Sequence, residues 1–227
     1  NGSKNTAIGQ WALQAMNPSS DVDTYNVALG YNAGYAVTIG VRNVLIGAGT
    51  GDALTEGNYN TAVGHFALSS EDTHSGNTAI GYTALFNQNA GADAFNTAVG
   101  FEAGLSVTTG VKNTLIGGLA GDAVTTGGHN VAVGYRSLSS NDVGWNNVAV
   151  GQDALRDNVD GSRNVAIGGA ALSAMDPASA TDTYNVAVGY AAGLSVTTGA
   201  NNVLVGGLAG DALTTGNHNI AIGRDAL

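Results

Sequence analysis

A five-residue motif recurs thirteen times along the chain, and its spacing limits the possible folds more than any other feature. The motif reads Asn, then Thr, Val or Ile, then Ala or Leu, then Ile, Val or Leu, then Gly; nine of the twelve intervals between its asparagines are 17 residues long. One interval has 19 residues and two have 21. Such a unit is too short for two helices and rich in glycine and β-branched residues. The periodicity therefore predicts an all-β parallel β-solenoid of about 13 coils, mostly of 17 residues, in a single array over residues 1–227.

Alternation along the strand assigns its residues to two faces. The third residue of each strand is aliphatic in all thirteen copies, so we expect it to fill the coil interior. The second residue is Ala in ten copies and Leu in three, which predicts an outward face of small residues. This face either stays partly exposed or packs chains together. The predicted trimer-interface residues on it are Ala28, Ala62, Ala98, Ala132, Ala149 and Ala187.

Two further patterns concern the interior and the corners. Eight residues after the motif Asn each coil has Leu or Gly, and every Gly coil has Val or Leu three residues later. A narrow coil holds one large side chain there, so this exchange predicts a single aliphatic plug per coil. We expect the motif asparagines to sit at a left-handed corner and to hydrogen-bond from coil to coil, and the motif glycines to mark a second corner.

Composition excludes several classes of protein. Seven Lys and Arg against 17 Asp and Glu give a net charge of -10, which argues against nucleic acid and against membrane binding or insertion. The chain has no Cys, so it is not a disulfide scaffold. It begins at Asn1 without an initiator Met, and we expect a fragment of a longer fibre or adhesin.

Catalytic chemistry is not predicted. The four histidines occupy three different places of the repeat and show no metal-ligand spacing, and no pair of carboxylates stands out. The sequence therefore predicts no enzyme activity, no cofactor and no metal site.

Aromatic residues gather beside the motif. Eleven of the fourteen lie just before its Asn or just after its Gly, and the position before Asn also holds four of the seven cations. A stripe of rings and donors suits a glycan, although the same rings could instead wedge between chains at the corners. The candidate glycan-binding residues are Tyr25, Tyr59, Tyr82, Tyr135 and Tyr184.

The motif copies Asn-Thr-Ala-Ile-Gly at 5–9, Asn-Val-Ala-Val-Gly at 147–151 and Asn-Ile-Ala-Ile-Gly at 219–223 resemble the head repeats of YadA-like trimeric autotransporter adhesins. They also resemble the repeats of bacteriophage tail fibres, and the resemblance covers the whole chain. It implies a left-handed parallel β-roll in a homotrimer, displayed on a bacterial surface or a virion tail. The period of this chain is longer than that of the typical adhesin head.

From the periodicity and the resemblance together we expect a structural and adhesive segment of an extracellular host-attachment fibre. Its partners would be two identical chains and a host-surface glycan or another receptor. A passive spacer shaft without a ligand is the first alternative. Ice binding is the second, and it is motivated by a threonine column twelve residues after the motif Asn: Thr38, Thr55, Thr108, Thr125, Thr197 and Thr214.

Overall fold

A computed structural model describes residues 2–18 and 20–227 of the chain. Those residues form an all-β fold without any helix, a parallel β-solenoid of about 13 coils of roughly 17 residues, as the period predicts. They divide into two compact units, residues 1–112 and 113–227. The single array over 1–227 stays a prediction, and each unit is described by itself.

Six three-residue strands run through the first unit, one per coil, and pair in parallel with the next strand along the chain. A separate two-stranded sheet joins β1 to β3 where the first coil is 21 residues long. The strands are β1 (Gly2–Ser3), β2 (Thr6–Ile8), β3 (Val22–Asp23), β4 (Val27–Leu29), β5 (Val44–Ile46), β6 (Thr61–Val63), β7 (Thr78–Ile80) and β8 (Thr97–Val99).

The second unit repeats this plan with seven three-residue strands in parallel. Its 21-residue coil again adds a two-stranded sheet, between β12 and β14. The strands are β9 (Thr114–Ile116), β10 (Val131–Val133), β11 (Val148–Val150), β12 (Gly161–Ser162), β13 (Val165–Ile167), β14 (Thr181–Asp182), β15 (Val186–Val188), β16 (Val203–Val205) and β17 (Ile220–Ile222).

The two faces of the strands are the reverse of the predicted ones. The second strand residue points into the coil and has no exposed surface in the middle coils, whereas the third is half-buried or exposed. The prediction of an outward trimer interface is therefore wrong for all six of its residues, which are fully buried inside their own coils: Ala28, Ala62, Ala98, Ala132, Ala149 and Ala187.

Space inside the coil explains the small residue. The interior already holds the plug side chain, so only Ala fits opposite it, except where the plug position eight residues after Asn is Gly. A Cβ added at Gly51 would lie 2.9 Å from Cδ2 of Leu45, and one at Gly121 would lie 2.7 Å from Cδ2 of Leu115. All three strands with Leu in place of Ala belong to such Gly coils. This pairing in the sequence indicates the inner face, although alternation alone does not.

The predicted exchange of plug residues agrees with the packing. Leu68 and Leu138 are fully buried in Leu coils, and Val37 and Val124 are fully buried in Gly coils. A Cβ at Gly34 would approach Cγ2 of Val37 to 3.2 Å, so the two positions share one space. Each coil in the middle of a unit therefore has one aliphatic plug, as expected for close-packed interiors.

Stacked asparagines connect successive coils, as predicted. In the first unit the backbone N–H of Asn43 donates to Oδ1 of Asn26 at 2.9 Å, and Nδ2 of Asn26 donates to the Gly40 carbonyl at 2.7 Å. In the second unit Asn147 N–H donates to Oδ1 of Asn130 at 2.9 Å. These amides are buried, and each one satisfies a backbone group that the short strand leaves unpaired.

The corners differ from the prediction in one respect. The left-handed residue is not the motif Asn but its predecessor, as at Tyr25, Arg42 and Tyr184, where φ is 53°, 57° and 52°. The described residues include 31 non-glycine residues with positive φ. Such residues are uncommon in proteins. Narrow coils require these tight corners, and stacking contacts hold them in place.

The first stability prediction concerns the motif glycines. Gly134 has φ +135° and its added Cβ would lie 2.6 Å from the Gly151 carbonyl oxygen of the next coil, whereas Gly118 meets only the Tyr135 ring at 3.6 Å. We expect Gly134→Ala to lower the free energy of unfolding by at least about 2 kcal/mol, and Gly118→Ala to change it by less than about 0.5 kcal/mol. Urea unfolding of the two variants measures the difference, and equal losses would contradict the close approach.

The second prediction concerns the plug. Leu138→Gly empties a buried position and should destabilise the protein by about 2–4 kcal/mol. Adding Asn141→Val recreates the Ala187, Gly193 and Val196 arrangement of another coil and replaces a buried amide whose Oδ1 lacks a partner. The double variant should therefore recover much of the loss. Urea denaturation decides, and losses that simply add would show that the two positions do not share one space.

Candidate functional site

The exposed side of the strands is apolar. The first and third residues of each strand, here called the outer strand face, are Thr, Val, Ile or Leu in every coil. Even in the middle of the second unit, Ile116 remains 38% exposed and Ile167 40% exposed. Runs of exposed β-branched side chains are unusual on a protein that works as a single chain. The face is therefore a candidate for contact with another chain.

Two columns of aromatic and cationic residues flank the outer strand face. The pre-Asn column consists of the residues directly before each motif Asn, and the post-Gly column of those directly after each motif Gly. The five predicted glycan-binding tyrosines are between 44% and 56% exposed, as a binding role requires. They do not form one stripe. The structure places Tyr25, Tyr59 and Tyr184 in the pre-Asn column, and Tyr82 and Tyr135 in the post-Gly column.

Cations lie between the rings of the pre-Asn column in the first unit. Lys4 Nζ is 5.1 Å from the Tyr25 ring centroid, and the Arg42 guanidinium carbon is 5.9 Å from Tyr25 and 5.4 Å from Tyr59. Lys4 Nζ also donates to the Tyr25 hydroxyl at 3.0 Å, and Arg42 to that of Tyr59 at 2.6 Å. The ring faces of this column therefore contact neighbouring side chains.

Rings of the post-Gly column stack on one another. Tyr82 lies between His65 and Phe101, with centroid distances of 5.7 Å and 5.4 Å and nearly parallel planes. In the second unit the Tyr135 ring lies over Gly118, whose added Cβ would be 3.6 Å from the ring. Both columns consequently present ring edges and hydroxyls outward, whereas a sugar that stacks needs an open ring face.

Acidic residues complete the pre-Asn column at the first 21-residue coil. Lys4 Nζ donates to Oδ2 of Asp23 at 2.7 Å, and the Ser3 hydroxyl donates to Oδ1 at 2.6 Å. The Lys4 bond, with a smaller contribution from Ser3, lowers the pKa of Asp23 from its ordinary value to about 2. The same contact with Asp23, followed by that with Tyr25, raises the pKa of Lys4.

A group of possible metal ligands escaped the sequence analysis. Within residues 2–18 and 20–227, the ligating atoms of Glu71, Asp72 and His74 lie within 4.8 Å of one another. Glu71 is fully buried, and its Oε1 accepts from His74 Nδ1 at 2.8 Å while its Oε2 accepts from Gln88 Nε2 at 3.3 Å. These protein donors satisfy the carboxylate. Glu71 and Gln88 occupy the plug-adjacent position of Leu coils, where Met175 lies in another coil, and this place in the repeat was the available signal.

The threonine column uses its hydroxyls inside the protein where their bonds are described. Thr55 Oγ1 donates to the Asp72 carbonyl at 2.9 Å, and Thr38 and Thr197 Oγ1 donate at 3.3 Å to the carbonyls of Thr55 and Thr214. An array that binds ice presents hydroxyl donors to water. This column spends them on the next coil.

A concavity beside the second 21-residue coil was also missed. Trp145, Arg163 and Asp182 line it, and none of them was among the candidate residues. Trp145 and Asp182 lie outside both columns, and Asp182 reaches the site only because the longer coil adds β14.

Comparison with known proteins does not assign this chain to a family, since no family model, curated protein or solved structure matches it. In the described ranges, 2–18 and 20–227, no helix is long and apolar enough to cross a membrane.

A pH prediction follows from the Lys4 and Asp23 pair. The folded pKa of Asp23 is about 2, below its ordinary value of 3.8, so its stabilising contribution is present above pH 3.8 and is lost as pH falls through about 2. Lys4→Met should return the pKa of Asp23 towards its ordinary value, and Lys112→Met should not change it. Carboxyl ¹³C NMR titration measures both variants, and an unmoved Asp23 in Lys4→Met would contradict the pair.

Proposed function

We propose that this chain is a homotrimeric segment of an extracellular host-attachment fibre, on a virion tail or a bacterial surface, and that it contacts glycans of the host. The single observation that supports this best is the outer strand face, an exposed apolar surface that is flanked on both sides by exposed aromatic columns. The motif resemblance supports the same assignment and implies a left-handed coil. The proposal gives the chain no catalytic role.

The apolar face supports association of identical chains. Its side chains recur at the same two strand positions in every coil, so a second copy in the same orientation meets a matching column. Burial of such a surface contributes about 25 cal/mol per Å² of apolar area. Cyclic symmetry with three copies lets each chain cover its neighbours without leaving an open face.

The flanking columns support a surface ligand. Rings and hydroxyls repeat along each unit, and a glycan also repeats along its length. Many modest contacts made in parallel by three chains give avidity without a deep pocket. The net charge of -10 favours neutral over acidic glycans.

The association is tested by placing a charge on the outer strand face. Light scattering of the parent should give three times the chain mass of 22.5 kDa. Ile167→Glu, at a half-exposed position, should give a folded monomer because a buried carboxylate there would be desolvated. Ala149→Glu, inside the coil, should lose the β circular-dichroism signal instead. A monomeric parent, or a trimeric Ile167→Glu variant, would overturn the association.

The receptor contact is tested on a glycan array of neutral and acidic oligosaccharides. We expect the parent to retain neutral glycans and a Tyr59→Ala, Tyr135→Ala variant to retain at least fivefold less signal, since both rings are exposed. Equal retention by both proteins would remove the columns from the binding surface. No retention by the parent would leave the chain as a passive spacer.

A further inference from the structure

An open concavity of about 500 Å³ lies in the second unit beside the 21-residue coil that begins at Asn164. Its volume falls in the range of small-ligand sites, about 300–1,000 Å³. The wall consists of β12 and β14, whose paired residues Ser162 and Asp182 both line it. Coils of 17 residues lack the segment that supplies β14. The concavity is therefore a local product of the longer coil.

The first 21-residue coil is built in the same way and provides a comparison. There β1 pairs with β3, and Asp23 accepts from Ser3 through Oδ1 and from Lys4 through Oδ2. Both carboxylate oxygens are thus occupied by side chains of the protein. The corresponding residues of the second long coil are Ser162, Arg163, Asp182 and Tyr184.

Asp182 has a different set of partners from Asp23. Arg163 Nη1 donates to Oδ2 of Asp182, and the Tyr184 hydroxyl lies 3.4 Å from the same oxygen. Among the residues that the structure describes, Oδ1 of Asp182 has no hydrogen-bond partner. Ser162 instead accepts the backbone N–H of Trp145 at 2.9 Å, which leaves its hydroxyl hydrogen to donate elsewhere. An acceptor and several donors consequently line the same concavity.

Trp145 adds an aromatic wall to these polar groups. Its ring meets His129 of the preceding coil at a centroid distance of 5.6 Å, and it lines the concavity together with residues of the following coils. It is 39% exposed. The rings of the two columns are covered by neighbours along the column, whereas Trp145 borders open space beside hydrogen-bonding groups.

We propose that this concavity is a subsite for one neutral pyranose unit of a glycan, with Trp145 as the stacking wall and Arg163, Asp182 and Ser162 as partners of its hydroxyls. Adjacent sugar hydroxyls both donate and accept, which suits a carboxylate oxygen beside guanidinium N–H groups. Asp182 neutralises Arg163, so the site does not attract an anionic sugar. This inference rests on the proposed glycan contact and gives it a location.

Intrinsic fluorescence tests the subsite, because the chain has only two tryptophans. In a Trp11→Phe background, Trp145 is the sole reporter. We expect at least one of glucose, galactose, mannose, N-acetylglucosamine and N-acetylgalactosamine to change its emission with millimolar affinity, and N-acetylneuraminic acid to have no effect. Asp182→Asn, which keeps the shape of the side chain, should weaken binding about tenfold or more. Asp23→Asn, the matched change at the first long coil, should leave it unchanged.

The glycan array separates failure of the subsite from failure of the proposed function. If the parent retains neutral glycans and Trp145→Ala retains them equally, the subsite is overturned and the attachment role stands. The subsite is also overturned if no neutral sugar changes the emission, if the acidic sugar binds better, or if Asp182→Asn titrates like the parent. If the parent retains no glycan, the glycan contact of the proposed function fails as well.

Discussion

The buried asparagine ladder is the interaction on which the rest of each unit depends. A strand of three residues forms few backbone hydrogen bonds, so strand pairing alone fixes the register of a coil weakly. Each motif Asn adds a side-chain acceptor for the next coil and a donor to a carbonyl of its own coil, as Asn130 does with Asn147 and Gly144. Because these bonds recur at the same place in successive coils, they keep the strands in phase, and the outer face and its flanking columns then follow.

The period of the sequence predicted the fold well for physical reasons. Stacked coils put equivalent residues in the same environment, so the exchange of Leu138-type plugs for Gly and Val, and the Asn stack, are visible without coordinates. Alternation in a strand shows which side chains share a face but not which face is inside. The inner face depends on the volume left beside the plug, and only the joint occurrence of Leu45 with Gly51 carries that information.

The candidate sites were less predictable than the fold. Exposure of the tyrosines follows from their place at the corners, but their contacts depend on which residue lies one coil away. Tyr25 borders Lys4 and Arg42 in this way, and Tyr82 borders His65 and Phe101. The concavity at Trp145 depends on the path of a longer coil between Met175 and Thr183. A repeat pattern describes what coils have in common, so a site made by one exceptional coil lies outside it.

The left-handed corners described above also bear on how the units fold. Every such corner is unfavourable for an isolated L-residue, by roughly 1–2 kcal/mol, so one coil alone cannot hold its shape. A neighbouring coil compensates by pairing with residues only 17 to 21 positions away in the sequence for most of the array. Folding within a unit can therefore start wherever two adjacent coils first meet and then extend in both directions, one coil at a time. The coils at the ends of a nascent unit open and close fastest, and those in its middle exchange their amide hydrogens last.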